Sequence, residues 1–232
     1  MMLKTFIERN QKKLQQKQTD FYTPDGLHVY FKEPLYNEID VEAVVGKVEN
    51  IVPLHLREEV EMVIIGWFDE FEKRSINAFY KDGALYISNV QDNEADMFDD
   101  IIHEIAHSLE SKYGYEIYGD QRIKEEFLRK RKHLHDILWA SGFKAPLSLF
   151  MDSEYDQEFD DFLHKTVGYN QLSELIRGLF ITPYAATSIA EYFATGFTEF
   201  YLDSNHNFLN KVSPQLYGKL YMLQKPERLD KA

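Results

Sequence analysis

The chain has 232 residues, 44% of them hydrophobic, and a formal net charge of −13 at pH 7. This length and composition fit one sizeable domain with a hydrophobic core. The acidic balance argues against nucleic acid as a partner, because phosphate binding needs clustered Lys and Arg. Cys is absent, which excludes disulfides and zinc fingers that use Cys ligands.

The N-terminal segment, residues 1–20, is predicted to be a polar arm that could be helical, followed by a single domain over residues 21–232. The arm lacks the apolar stretch of a secretory signal peptide, and no later run of residues is apolar for long enough to span a bilayer. We therefore expect no membrane partner. We also expect a protein that is cytoplasmic, associated with a particle, or delivered without a classical signal peptide.

Strand and helix signals before residue 90 follow the order of an α+β fold, with a small mixed sheet packed on helices. They predict a strand at 27–31, a helix at 40–50, a short helix after Pro53, a buried strand at Val63–Ile65, and a hairpin at 78–88. The hairpin turn is predicted at Lys81-Asp82-Gly83, which leaves Ala84–Ser88 as the last strand before a long helix.

This long helix is predicted to begin after Asn93, with Asp96 completing a capping pattern, and to end near Gly114. One apolar stripe follows a four-residue spacing, which is typical of an amphipathic helix, and its residues are Met97, Ile101, Ile105 and Leu109. Polar residues lie on a different face. The helix therefore has one face for packing and another that is available for chemistry.

The polar face carries the sequence His103-Glu104-Ile105-Ala106-His107, an HExxH motif. Residues i and i+4 of a helix share a face, so both imidazoles can reach one metal ion. Glu104 then lies where it can take a proton from a zinc-bound water. We therefore expect a Zn²⁺ site with His103 and His107 as ligands and Glu104 as a catalytic base.

Residues 120–180 are predicted to be mostly helical, with helices at 125–140, 156–166 and 171–180. The basic run Arg129–Lys132 is flanked by acidic residues and is interpreted as the solvated face of a helix. Three further histidines in this region lack the spacing of metal ligands. They are expected to be surface or packing residues: His133, His135 and His164.

Two histidines leave a catalytic zinc short of one protein ligand, and a carboxylate from a second helix is the natural completion. Glu191 is our candidate, because it lies on a predicted helix at 188–202 whose neighbouring side chains are bulky and apolar. A carboxylate is costly to bury there unless it is paired or coordinated. The alternative is a capping box in which Ser188 and Glu191 only fix the start of the helix. Glu199 is the next candidate ligand.

The HEIAH motif, the segment Ala190–Phe197 and Tyr184 together resemble the gluzincin family that contains the anthrax lethal factor catalytic domain and the clostridial Pro-Pro endopeptidases. The resemblance implies a zincin-like metalloprotease domain, with zinc held by His103, His107 and Glu191 and with Tyr184 facing the metal. The spacer departs from the family, because 191 − 107 = 84 residues separate the second His from Glu191. We interpret the excess as a helical insertion at about 120–180.

The function expected from this resemblance is a zinc endopeptidase that hydrolyses a protein or peptide substrate bound in extended form. In this mechanism the Tyr184 hydroxyl is expected to stabilise the oxyanion, although a packing or turn role after Pro183 is the alternative. Ala84–Ser88 is expected to be the edge strand that pairs with substrate, and Asp100 and Glu110 are candidates for orienting the imidazoles. Two other functions stay open: a non-catalytic assembly or interaction protein that retains a zinc site, and a regulator that cleaves a repressor.

Overall fold

The computed structural model describes residues 19–74, 76–202 and 206–225, so the expected N-terminal arm lies almost entirely outside the described residues. The fold is α+β, as predicted, with a small mixed sheet and many helices. Two compact units divide the chain, Met1–Ser108 and Leu109–Ala232. Among the described residues, no helix combines the length and the apolar character needed to cross a membrane.

The described part of the first unit contains a five-stranded sheet with the strand order β1-β2-β3-β5-β4. Strands β2, β3 and β5 are parallel to one another, whereas β1 and β4 pair antiparallel to their neighbours. The strands are β1 (Asp20–Tyr22), β2 (His28–Phe31), β3 (Met62–Gly66), β4 (Ala78–Lys81) and β5 (Ala84–Ser88). The helices of this unit are α1 (Val41–Ile51), a 3₁₀ turn (Leu54–Leu56), α2 (Asp69–Arg74) and the first part of α3 (Glu94–Tyr118).

Successive side chains of a strand point to opposite faces of the sheet, and on one face the central residues of the three parallel strands are buried. The buried residues on this face are Val29, Val63, Ile65, Leu85 and Ile87, each 0% exposed. A cavity in the described part of the first unit is lined by side chains from α1, β5 and α3, which places both helices on this face of the sheet. The hydrophobic core of the first unit therefore lies between the sheet and these two helices.

The hairpin at 78–88 forms as predicted, with Asp82 and Gly83 as its two turn residues. Both have positive φ angles, 50° and 82°, which matches the right-handed twist of the flanking strands. The prediction that Ala84–Ser88 is an edge strand was wrong. That strand, β5, pairs with both β3 and β4, and β4 is the strand at the end of the sheet.

Helix α3 begins after Asn93, as predicted, and the Asn93 Oδ1 atom accepts hydrogen bonds from the backbone N–H groups of Ala95 and Asp96 at 2.8 and 3.2 Å. Helix α3 runs to Tyr118 but consists of two helices joined at a kink, and the first of them ends next to Gly114, as predicted. Non-helical backbone angles at Tyr113, φ −110° and ψ 15°, kink the helix one residue before this glycine. Gly114 thus lies at a kink, and burial of later residues such as Ile117 offsets the low helix propensity of glycine.

The described part of the second unit is helical, and large aromatic side chains such as Phe127, Phe180 and Tyr192 form its core. After the end of α3 the helices are α4 (Arg122–Ala140), α5 (Leu147–Phe150), α6 (Gln157–Asp161), a π-helical segment (Phe162–Val167), α7 (Tyr169–Leu175), a 3₁₀ turn (Tyr184–Ala186), α8 (Ile189–Leu202), α9 (Asn207–Val212) and α10 (Pro214–Leu223). The predicted helix at 171–180 therefore ends five residues early.

The basic run on α4 is not simply a solvated face, so this interpretation needs correction. Arg129 and Lys132 are exposed, but Lys130 is 8% exposed and Arg131 only 1%. The Lys130 ammonium donates to the Ser213 hydroxyl at 2.9 Å and lies 4.9 Å from the centre of the Tyr192 ring. Two of the four basic residues are thus part of the core of the second unit.

Candidate metal centre

Helix α3 presents His103 and His107 on its polar face, with their ring centres 5.1 Å apart and their planes inclined by 67°. Both rings are partly exposed, whereas the stripe Met97, Ile101, Ile105 and Leu109 is buried. The amphipathic pattern that the sequence shows is therefore realised. The buried stripe fixes the rotation of the helix, and this rotation leaves the two imidazoles accessible.

Glu104 is buried, with 8% of its surface exposed. One of its carboxylate oxygens, Oε2, accepts a hydrogen bond of 2.8 Å from the backbone N–H of Tyr80 in β4. A buried carboxylate needs such donors, because the loss of water around its charge is otherwise expensive. The motif glutamate is thus held by the strand at the end of the sheet.

Asp100 lies one turn before Glu104 and accepts a hydrogen bond of 3.0 Å from the Gln91 side-chain amide. Burial raises the pKa of Asp100 to about 6, the nearby charges of Asp99 and Glu104 act in the same direction, and the Gln91 hydrogen bond and His103 oppose the rise. The expected role of Asp100 in orienting the imidazoles stays a prediction.

Glu191 lies in the first turn of α8, and two interactions fix its position. Its backbone N–H donates to the Ser188 hydroxyl at 3.1 Å, which is the capping contact expected at a helix start. Its Oε1 atom accepts a hydrogen bond of 3.2 Å from the Tyr184 hydroxyl. This contact is the half of the capping box that uses the main chain of Glu191 and leaves its carboxylate out.

Tyr184 opens the 3₁₀ turn that precedes α8. Burial raises the pKa of its hydroxyl well above the usual value of a tyrosine, and the charge of Glu191 and the hydrogen bond to it add to this effect. The hydroxyl therefore stays protonated at neutral pH. Tyr184 accordingly lies beside the candidate ligand as a hydrogen-bond donor.

The buried Arg131 guanidinium stabilises the turn that carries Tyr184. Its Nη1 atom donates to the carbonyl oxygens of Ala186 and Thr187 at 2.8 and 3.1 Å. Its Nε and Nη2 atoms donate to the carbonyl oxygens of Phe150 and Leu149 at 3.0 and 2.9 Å. One side chain thus connects α5 with the segment that leads into α8.

The remaining sequence candidates have other partners. Glu110 accepts a hydrogen bond of 3.1 Å from the Tyr118 hydroxyl. The ring of His135 faces Trp139 and Phe150 and shares a hydrogen bond of 3.2 Å with the Ala145 carbonyl, as expected for a packing histidine. His133 is exposed, and the His164 ring lies 5.0 Å from that of Tyr169.

Three of the predicted site residues form a group that could hold a metal ion: His103, His107 and Glu191. Their potential ligand atoms all lie within 4.8 Å of one another. Two imidazole nitrogens and one carboxylate oxygen are a ligand set that suits Zn²⁺ and leaves a fourth position for water or substrate. Within the part of the chain that the structure describes, Glu199 is not part of this group.

The sequence did not indicate two of the contacts that support these residues. The Tyr80 contact involves a main-chain N–H, which every non-proline residue has, so residue type carries no signal for it. The Arg131 contacts join segments far apart in the chain. An arginine flanked on α4 by Phe127 and Leu134 was the available sign that part of the basic run faces the core.

Comparisons with protein-family models, with curated proteins and with solved structures found no match to this chain. Sequence motifs and site geometry are therefore the basis for a function.

Proposed function

We propose that this protein is a zinc-dependent endopeptidase with a zincin-like fold of the gluzincin type. The observation that carries the proposal is the grouping of His103, His107 and Glu191, which suits zinc in ligand type and number. The order of elements also supports it, because a small mixed sheet precedes the motif helix and a later helix supplies the carboxylate. Glu104, adjacent to the first imidazole, supplies the carboxylate that a hydrolase needs as its general base.

Zinc at this position would lower the pKa of a bound water from about 9 toward 7 and polarise the scissile carbonyl. Glu104 would accept the proton from the attacking water and transfer it to the leaving amine, a role worth roughly 10²–10⁴-fold in rate. The Tyr184 hydroxyl has a single proton, which it donates to Glu191 here, so it would turn this proton from Glu191 to the oxygen on which negative charge develops. Its hydrogen bond to Glu191 keeps this hydroxyl close to the ligand set.

The substrate in this proposal is a protein or peptide segment in extended form that pairs with an edge strand of the sheet. The strand suited to this is β4, because β5 already has a neighbour on each side. Main-chain pairing holds a peptide without reading its side chains. Sequence preference would then come from residues around the site.

The alternative is a non-catalytic assembly or interaction protein that uses the same zinc for stability. A structural zinc site has no use for a base beside its ligand, and four protein ligands usually close such a site. The retention of a buried Glu104 beside His103 favours a hydrolase. No feature of the described residues specifically favours the repressor-cleaving regulator.

The test combines metal analysis of the purified protein with incubation against a peptide library. We expect about one zinc per chain, hydrolysis of some peptides, loss of hydrolysis with a chelator, and recovery when zinc is added back. Glu104→Gln should keep the zinc and lose most of the hydrolysis, because the amide cannot accept the proton. Zinc without hydrolysis in the wild-type protein would favour the structural alternative. Failure to bind zinc would refute both.

A further inference from the structure

The strand β4 has one side bonded to β5 and one side turned away from it. In an antiparallel pair, residues alternate between those that bond across the pair and those whose N–H and C=O groups point outward. The Asn77 carbonyl accepts a hydrogen bond of 2.8 Å from the Ser88 N–H, so Phe79 also bonds toward β5. Ala78 and Tyr80 therefore direct their main-chain groups to the outer side of the sheet.

The outward N–H of Tyr80 is the group that donates to the Glu104 carboxylate at 2.8 Å. Strand and helix are thus joined at the residue that the proposed function makes the base. The contact lies within the first unit, and its two residues are 24 positions apart in the chain. The Tyr80 side chain does not make this contact, because its hydroxyl donates to the Glu59 carbonyl at 3.3 Å.

We propose that the main-chain N–H of Tyr80 is a positioning group for the general base Glu104. The inference rests on the proposed function, because it assigns a role within that reaction. Hydrogen bonds from an N–H to a carboxylate are stronger than neutral ones and fix the carboxylate in one orientation. The Tyr80 N–H thus fixes the position of Oε2 and, through it, the orientation of the carboxylate plane.

This arrangement also limits how a substrate can pair with β4. The Tyr80 N–H is engaged by Glu104, so a peptide on the outer side of the strand can bond to the Tyr80 carbonyl but not to its N–H. Ala78 is the other residue of β4 with outward-facing groups, and its N–H is the strand's remaining donor toward the peptide. Pairing of a substrate with β4 would therefore use the Ala78 N–H as donor and the carbonyl groups of Ala78 and Tyr80 as acceptors.

The contact can be tested in zinc-free protein by amide hydrogen exchange. Glu104→Ala should accelerate exchange of the Tyr80 amide by about tenfold or more, because a hydrogen bond to a charged group is lost. Glu104→Gln retains a carbonyl oxygen and should give a smaller acceleration. The Phe79 amide is the matched control, since it bonds toward β5 and should exchange at an unchanged rate in both variants.

The role can be tested by replacing the Tyr80 residue with its α-hydroxy acid, which changes the N–H to an ester oxygen and keeps the side chain. We expect kcat to fall by about tenfold or more while KM changes little, because orientation of the base matters in the transition state. Zinc content should not change. The same ester at Phe79 removes a hydrogen bond of the same strand without touching Glu104, and it should leave kcat close to the wild-type value.

Unchanged Tyr80 exchange in Glu104→Ala would overturn the inference, and so would an unchanged kcat in the Tyr80 ester. An equal loss of kcat in both esters would also overturn it, because the effect would then belong to the strand in general. The proposed function fails separately, if the wild-type protein hydrolyses no peptide. The exchange experiment still decides the contact in that case, since it needs neither zinc nor substrate.

Discussion

Replacement of Glu191 separates the two interpretations of this residue, a zinc ligand and a helix cap. The capping contact runs from the Glu191 N–H to the Ser188 hydroxyl, so Glu191→Ala retains it and Ser188→Ala removes it. The carboxylate is the group that belongs to the candidate metal site. The two variants therefore test the two roles separately, because each removes a group that belongs to only one of them.

The expected magnitudes differ enough to be distinguished. Loss of a residue that only orients a metal ligand costs about 10–100-fold in metal affinity, so loss of a ligand should exceed about 100-fold. This corresponds to about 2.8 kcal/mol, at about 1.4 kcal/mol per tenfold change. Loss of the Ser188 cap should cost about 1 kcal/mol of stability. For a chain of this size, that lowers the melting temperature by about 2–4 °C.

The assay is titration of zinc-free protein with zinc in competition with a chelator of known affinity, together with thermal unfolding of the zinc-free forms. Glu191→Ala should bind zinc at least about 100-fold more weakly than the wild-type protein. Ser188→Ala should bind zinc normally and melt at a lower temperature. If Glu191→Ala retains wild-type zinc affinity and only its melting temperature falls, Glu191 is not a ligand and the proposed site is wrong.

Three further predictions address Tyr184, Arg131 and Lys130. Tyr184→Phe should lower kcat by about 10²–10³-fold with normal zinc content, as expected when an oxyanion donor is lost; unimpaired kcat removes Tyr184 from the mechanism. Arg131→Met leaves three buried and one partly buried carbonyl group without this donor and should cost about 3–5 kcal/mol in denaturant unfolding, whereas exposed Arg129→Met should stay within about 0.5 kcal/mol. Burial lowers the pKa of Lys130 from 10.5 to about 8, so between these values the unfolded chain binds more protons and stability rises with pH. Lys130→Met should remove this rise, and an identical pH dependence in both proteins would contradict the assignment.

Those parts of the fold that depend on local pattern could be predicted from the sequence. The hairpin at 78–88 follows from an Asp-Gly turn between apolar residues, and the start of α3 follows from the Asn93 cap and a regular apolar stripe. Each involves neighbours along the chain, for which sequence spacing determines spatial proximity. For the same reason the spacing of His103 and His107 predicted that their rings are adjacent, which the structure confirms.

Two of the wrong predictions concern contacts between distant segments. Ala84–Ser88 has the composition of any half-buried strand, and its position between β3 and β4 depends on parallel pairing with Met62–Gly66. Nothing in the residues of β5 specifies that partner. The prediction that the basic run on α4 is a solvated face was wrong for a similar reason, because Arg131 is stabilised by carbonyl groups 18 to 56 residues away. Acidic residues on either side of a basic run indicate that the run is usually exposed to solvent. They cannot reveal carbonyl acceptors from distant segments.

Buried carboxylates in the second unit show why residue type alone does not identify a ligand. Glu126 is 3% exposed, and its oxygens accept hydrogen bonds from the Tyr192 hydroxyl and from the N–H groups of Gln215 and Leu216, at 2.9, 2.9 and 3.3 Å. Those N–H groups belong to the first turn of α10, whose orphan donors and positive dipole end suit an anion. Both oxygens of Glu126 are therefore engaged in fixing a helix start. Glu191 also lies among aromatic residues, but its helix start is capped by Ser188, and its carboxylate is grouped with two imidazole nitrogens. The two glutamates therefore differ in the groups that tertiary placement brings to their carboxylates, the start of a helix for Glu126 and two imidazoles for Glu191.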